Sequence, residues 1–263
     1  MTSPIRRELL QRTAAAVLLP GAALAAPAPS AGATPLFDVP GVTLPIRDSA
    51  RAFPVRRIYC IGRNYAAHAL ERGSDPEREP PFFFQKPTDA IQLVRPGETL
   101  AHPYPPLTQN YHHEIELVAA LHKGGRDIRP EDALACVYGY AVGLDMTLRD
   151  LQNAMAAEKK PWEIGKSFDH SAVVGPLWPA SATGHFTKGA IELAVNGKTR
   201  QSSDLSRMIW SVAEQISRLS QSSELFPGDI VYSGTPENVG PVVRGDTMTG
   251  RIEGLYEIVV KVV

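Results

Sequence analysis

Fourteen of the chain's 23 prolines fall between Pro27 and Pro106. Each proline removes a backbone donor, and its ring clashes with the preceding helical turn. That stretch therefore has to be built from short strands and turns, with no long helix. The 263 residues allow one large domain or two small ones. An apolar fraction of 43% and a charged fraction of 21% suit a globular chain with a sizeable core. The net charge of −1 carries no basic stripe of the kind nucleic acid demands. Two cysteines exclude a disulfide framework and a Cys-rich zinc site.

The first 25 residues read as an address. Arg6, Arg7 and Arg12 form a positive head, an apolar run extends from Thr13 to Leu24, and Ala23-Leu24-Ala25 supplies a small-x-small cleavage site. The pair Arg6-Arg7 followed by Leu9-Leu10 is similar to a twin-arginine export signal. The expectation is an exported, periplasmic chain (the alternative is a cytoplasmic one with an interfacial N-terminal helix). The apolar run is too short to span a bilayer, and no other segment approaches that length, so no membrane partner is expected beyond the signal. Residues 26–53, rich at first in Ala, Pro, Gly and Ser, read as a linker and approach to a domain at 54–263.

Within that domain the pattern predicts strands over 57–62, 82–87, 113–121, 137–145, 230–233 and 256–263. A helical turn is expected over 64–70, a surface loop over 73–81, and a helix over 147–160 begun by a Thr147/Asp150 capping box. Residues 191–201 read as a hairpin turning at Asn196-Gly197. Leu205, Met208, Ile209, Val212, Ile216 and Leu219 share one helical face. The sum is a strand-dominated α+β domain.

Glu114 and Glu116 stand out for chemistry. On a strand they point to one face, where two carboxylates repel unless a cation or a proton lies between them. Asp145 ends an apolar strand, where a carboxylate is costly unless paired. Three oxygen donors without cysteine favour Mg²⁺ or Mn²⁺, with Ca²⁺ also compatible, over zinc. The same spacing also fits the solvated face of an edge strand. His68 and Glu71, i and i+3 on a helical turn, suit a water-activating dyad or an ordinary surface pair. Arg149 and Gln152 lie near a helix start that favours anions, and Lys166 suits an anionic substrate or a developing enolate, or is a plain surface lysine. Lys86 follows three phenylalanines and either heads a pocket or snorkels. Ser233-Gly234-Thr235 puts a hydroxyl and a close-approach glycine at a strand end. Cys60 and Cys136, both in apolar runs, read as inert core thiols.

Five ordered strings carry a resemblance. They are Tyr59-Cys60-Ile61-Gly62-Arg63-Asn64-Tyr65 with His68, His113-Glu114-Ile115-Glu116-Leu117, and Gly143-Leu144-Asp145-Met146-Thr147 with Arg149 to Gln152. Pro161-Trp162 with Lys166 to Asp169 and Pro227-Gly228-Asp229 with Ser233 to Pro236 complete the set. From about Pro54 to the C-terminus the chain resembles the fumarylacetoacetate hydrolase family. Phe53–Tyr59 and Phe82-Phe83-Phe84 look most like its fumarylpyruvate-hydrolysing branch, which acts on a product of gentisate ring cleavage. The resemblance implies a rolled mixed β-sandwich, usually a homodimer. It implies metal ligands at Glu114, Glu116 and Asp145, a catalytic dyad of His68 and Glu71 on a lid, and catalytic assistance from Lys166. It implies substrate binding by Arg149, Gln152 and Thr235, to which the cationic Lys86 and Arg63 are added as further substrate-binding candidates.

The implied reaction is metal-dependent hydrolysis of a C–C bond in a 2,4-dioxo acid, giving fumarate and pyruvate from fumarylpyruvate. Other activities of such a family are acylpyruvate hydrolysis, oxaloacetate decarboxylation, isomerisation of dienoic acids and ureidoglycolate cleavage. A different class of reading is an exported 2-oxo-acid-binding protein without turnover.

Overall fold

The computed structural model describes residues 34–71, 73 and 79–263. The expected leader over 1–25 lies outside the described residues, as does the middle of the 73–81 loop. Pro40–Val263 form one compact unit. Residues 34–39 carry no strand or helix and expose Leu36, Phe37 and Val39.

Part of the stretch expected as linker is ordered sheet. Thr43–Pro45 pairs antiparallel with Ala52–Pro54, and Leu44 and Phe53 are buried. One apolar residue at the centre of each three-residue strand suffices to anchor the pair, a signal too short to read as periodicity.

The main sheet runs in the spatial order Phe83–Lys86, Arg57–Ile61, Asp229–Tyr232, Ile115–Leu121, Val137–Asp145, Ala172–Val174, Ile91–Leu93, with Trp178–Pro179 also on the fifth of these. Two of its pairings are parallel (Arg57–Ile61 with Asp229–Tyr232, and Ala172–Val174 with Ile91–Leu93), so the sheet is mixed. A second sheet is ordered Lys198–Asp204, Ala190–Val195, Thr247–Ile252, Ile258–Val262, Thr99–His102. Its hairpin turns at Asn196-Gly197, both at positive φ (51° and 75°), as a type I′ turn requires. A small third sheet joins Thr147–Leu148, Tyr111–His113 and Gly240–Val242.

The larger core fills the space between the two main sheets. Ile115, Leu117, Ala119 and Leu121 enter it from one side and Ile191, Leu193, Met248 and Val260 from the other. Val118 and Ala120 face the opposite way, into a second apolar cluster with Ile58, Cys60, Ala141 and Tyr232. Both faces of the central strands are therefore covered, and the result is a rolled mixed β-sandwich. Cys60 and Cys136 are buried free thiols, and burial pushes both up from the ordinary thiol value.

Three expected elements are corrected. The 113–121 strand is two strands, Tyr111–His113 and Ile115–Leu121, which belong to different sheets and part company at Glu114. The 147–160 helix spans only Arg149–Ala157, and Thr147 and Asp150 make no capping box. Thr147 instead pairs in the third sheet, and the Asp150 carboxylate accepts from Thr108 Oγ1 (2.6 Å) and Gln109 N (2.9 Å). The apolar face read over Leu205–Leu219 is a 3₁₀ turn at Leu205–Arg207 followed by a helix at Val212–Ser222. Ser211 and Glu214 close that helix's N-terminus in a true capping box, which fixes its start there.

Candidate active site and metal centre

The three acids arise from strand parity. Glu114 and Glu116 continue the face that Val118 and Ala120 present to the second cluster, and Asp145 continues the face of Ala141 and Gly143. Asp145 N donates to Glu114 O at 2.9 Å, so the adjacent strands set the spacing of these two residues. All three are at most 4% exposed, and one carboxylate oxygen from each lies within 4.8 Å of the others. Gly143, opposite Glu116 in register, keeps the neighbouring space open: a Cβ there would lie 2.7 Å from the Tyr232 ring.

Three buried cations attend the acids unevenly. Lys166 Nζ donates to Glu114 Oε2 (2.8 Å), Asp145 Oδ2 (2.7 Å) and Thr147 Oγ1 (2.7 Å). Arg149 binds the other oxygen of Glu114 and donates to Gln152 Oε1. Lys86 Nζ lies 2.8 Å from Asp145 Oδ1 and donates to the carbonyls of Met146 and Lys166. Among the described residues, Glu116 accepts from a backbone donor alone, Gly234 N at 2.7 Å. The electrostatics follow. Burial pushes the Glu114 carboxyl up, but Lys166 and Arg149 outweigh it and hold the group below the ordinary carboxylate range. Burial, reinforced by Asp145 and Glu114, pushes Glu116 well above that range. Burial draws Lys166 down, and the charges of Asp145 and Glu114 more than reverse it.

Among the described residues the converging ligand group is three carboxylates with no histidine or cysteine in it, which fits a hard divalent cation. A cation there offsets the burial and the like charges that push Glu116 upward.

The cleft over this centre is lined by Glu114, Glu116, Asp145, Lys166, Arg149, Gln152, Thr235, His68, Arg63, Phe84 and Trp162, among others. His68 sits on the short helix Ala66–Glu71, and its Nδ1 is 3.1 Å from Glu71 Oε2. Glu71 also accepts from Asn238 N at 3.2 Å. Burial raises its carboxyl, and the hydrogen bond and charge of His68 bring it below the ordinary value. With Nδ1 donating to Glu71, the ring leaves Nε2 as the acceptor. Two expected residues stand apart: Glu71 touches the cleft only through His68, and Lys86, expected on the cleft wall, lies against Asp145 and does not line it.

Two positioning residues escaped sequence reading. Gln201, fully buried, accepts from Ile115 N (3.2 Å) and donates to Thr235 Oγ1 (2.9 Å) and Pro236 O (2.8 Å), tying Thr235 to the strand beside Glu116. Asn64, also fully buried, donates to Trp210 O (2.9 Å) and Ser233 O (2.8 Å) and accepts from Trp210 N (2.8 Å). It ties the segment before the His68 helix to the Gly234 loop. Asn64 stands inside a string quoted above, which marks it out. Nothing around Gln201 in the sequence does.

A cluster of carboxylates able to hold a divalent cation, beside an acid-paired histidine, is the equipment of a metal-dependent hydrolase. The chain belongs to the fumarylacetoacetate hydrolase family: the family model described as Fumarylacetoacetate (FAA) hydrolase C-terminal matches residues 57–263. A fumarylpyruvate hydrolase from Ralstonia sp is 44% identical over 189 residues, covering 72% of this chain and 96% of the relative. A crystal structure of fumarylpyruvate hydrolase from Pseudomonas aeruginosa in complex with Mn²⁺ and pyruvate superposes with a TM-score of 0.86. It is 59% identical, with 88% of this chain and 99% of that chain covered. A mitochondrial oxaloacetate tautomerase from Arabidopsis thaliana is 38% identical over 202 residues, covering 77% of this chain and 88% of the relative.

Proposed function

We propose that the protein hydrolyses the C–C bond of a 2,4-dioxo acid, with fumarylpyruvate, cleaved to fumarate and pyruvate, as its substrate. The observation that carries this is the convergence of Glu114, Glu116 and Asp145 in one cleft with the His68–Glu71 pair and Lys166. The similarity to two fumarylpyruvate hydrolases supports the choice of acid.

A divalent cation held by Glu114, Glu116 and Asp145 supplies Lewis-acid polarisation of a 2-oxo acid's oxygens. The chain's own groups do the rest. Glu71 fixes the tautomer of His68, and His68 Nε2 takes a proton from water. The resulting hydroxide adds to the C4 carbonyl. The C3–C4 bond breaks, its electron pair passes to the departing pyruvate as an enolate, and protonation at C3 completes the balance. The Lys166 ammonium stabilises the enolate charge, and Arg149, Gln152 and Thr235 hold the acid in place.

The test is turnover of fumarylpyruvate by the Mn²⁺-loaded protein beside acetylpyruvate and oxaloacetate. His68→Ala is expected to bind Mn²⁺ as the wild type does and to lose about 10²- to 10⁴-fold in kcat. A wild-type rate in that variant removes the dyad from the reaction.

Export and dimerisation belong to the same proposal. The Arg6-Arg7 head and the Ala23-Leu24-Ala25 site support export. N-terminal sequencing of the native protein with cell fractionation tests it: a mature chain starting near Ala26 is the expected result, and an intact Met1 in the cytosol overturns it. Sedimentation tests the dimer.

A further inference from the structure

Among the described residues, three Lys or Arg side chains line the cleft, and two are spoken for. Arg149 binds Glu114, and Lys166 bridges Glu114 and Asp145. Arg63 differs. Among the described residues no carboxylate lies within ion-pair distance of it. Its guanidinium carbon stands 5.8 Å from the centre of the Phe82 ring and 5.7 Å from that of Trp162. Those rings meet edge to face, 5.3 Å apart at 87°. The aromatic frame is built into the backbone: Gly62 lets the Phe82 ring lie against the chain, since a Cβ there would sit 2.1 Å from it. Arg63 itself adopts φ 56°, a left-handed conformation uncommon outside glycine and concentrated at ligand-holding sites.

We propose that Arg63, framed by Phe82 and Trp162, binds a second carboxylate on the substrate, at the end remote from the metal ligands. The cleft is then built for 2-oxo acids that are dicarboxylates. This rests on the proposed function for which end of the acid enters at Glu114, Glu116 and Asp145. Fumarylpyruvate carries a carboxylate at each end of a seven-carbon chain. The end remote from the metal ligands would be costly to enclose without a counter-charge of its own. A guanidinium between aromatic rings is partly stripped of water and presents a planar fork that matches a carboxylate.

The experiment compares binding of 2-oxoheptanedioate and 2-oxoheptanoate to the Mn²⁺-loaded protein by calorimetry. The two ligands share chain length and the 2-oxo acid end, and only the first has a distal carboxylate. Wild type is expected to prefer the diacid by about 10- to 100-fold, the range of a charge-assisted hydrogen bond. Arg63→Met should abolish the preference while binding the monoacid as before, and Arg63→Lys should keep part of it. Equal affinity of the wild type for both ligands overturns the proposal, as does an equal loss of both in Arg63→Met. Neither ligand has a 4-oxo group to cleave, so the preference is read whether or not fumarylpyruvate is turned over. The two readings therefore fail independently.

Discussion

Lys86 holds Asp145 by the carboxylate oxygen that Lys166 leaves: its Nζ lies 2.8 Å from Oδ1, while Lys166 Nζ lies 2.7 Å from Oδ2. Both lysines are buried, so between them they balance an Asp145 charge that water cannot reach. Lys86→Met keeps the length of the side chain and deletes its charge. Removing one partner of a buried pair costs about 3 to 5 kcal/mol, and that loss is expected in urea unfolding of the variant. An unchanged midpoint would show that Asp145 is held without Lys86.

The raised Glu116 carboxyl gives the metal-free protein a pH dependence of definite sign. A group whose value is higher in the folded state stabilises fully below its unfolded value, about 4.3 for glutamate, and loses that contribution as pH rises through the folded value. Glu114, held low, is ionised in both states above about pH 5 and adds no slope there. The chelator-treated protein is therefore expected to lose stability from pH 5 upward, and Glu116→Gln to flatten the trend. Mn²⁺ binding should release a proton, read by calorimetry in buffers of different ionisation enthalpy. No proton release near pH 6 would remove Glu116 as its source.

Gln201→Leu cuts Thr235 from the strand next to the acids while keeping the bulk of the side chain. It leaves Ile115 N and Thr235 Oγ1 each short of a partner, at about 1 to 3 kcal/mol per buried unsatisfied group. Loss of stability should come with a raised KM for the dioxo acid and unchanged Mn²⁺ affinity. A parallel fall in metal affinity would mean that Gln201 supports Glu114 and Glu116 instead.

Gly165 lets the Glu163–Lys166 turn lie on the helix that carries Gln152. A Cβ at 165 would stand 2.7 Å from Gln152 N and 2.8 Å from its Cα, both backbone atoms that cannot swing aside. Gly165→Ala is expected to cost about 1 to 3 kcal/mol and to displace Lys166, lowering kcat. Gly41→Ala, with nothing within 4 Å, is the control and should unfold at the wild-type midpoint.

The acids of the site were legible because strand parity is a local rule: Glu114 and Glu116 two apart, and Asp145 at the end of an apolar run, need no distant information. The rolled sandwich follows from five ordered strings, not from hydropathy, which yields no more than a strand-dominated α+β domain. The helix start at Arg149 was misread because Thr147 has the composition of a cap, while its hydroxyl is taken by Lys166, 19 residues on. Gln201 was invisible because its partners at 115 and 235 come from other sheets and loops. For Lys86 the sequence allows a pocket head or a snorkelling side chain, because it cannot say on which side of Asp145 an ammonium comes to rest.

The chain leaves one sheet and enters another at Glu114, and the hydrogen bond from Asp145 N to Glu114 O crosses at that point. The anchoring end of the cleft is thus fastened to the seam of the sandwich, whereas Arg63 and Trp162 hang from turns at its mouth. An architecture divided in this way can exchange one acid for another by editing its turns, while the ion keeps the same seat.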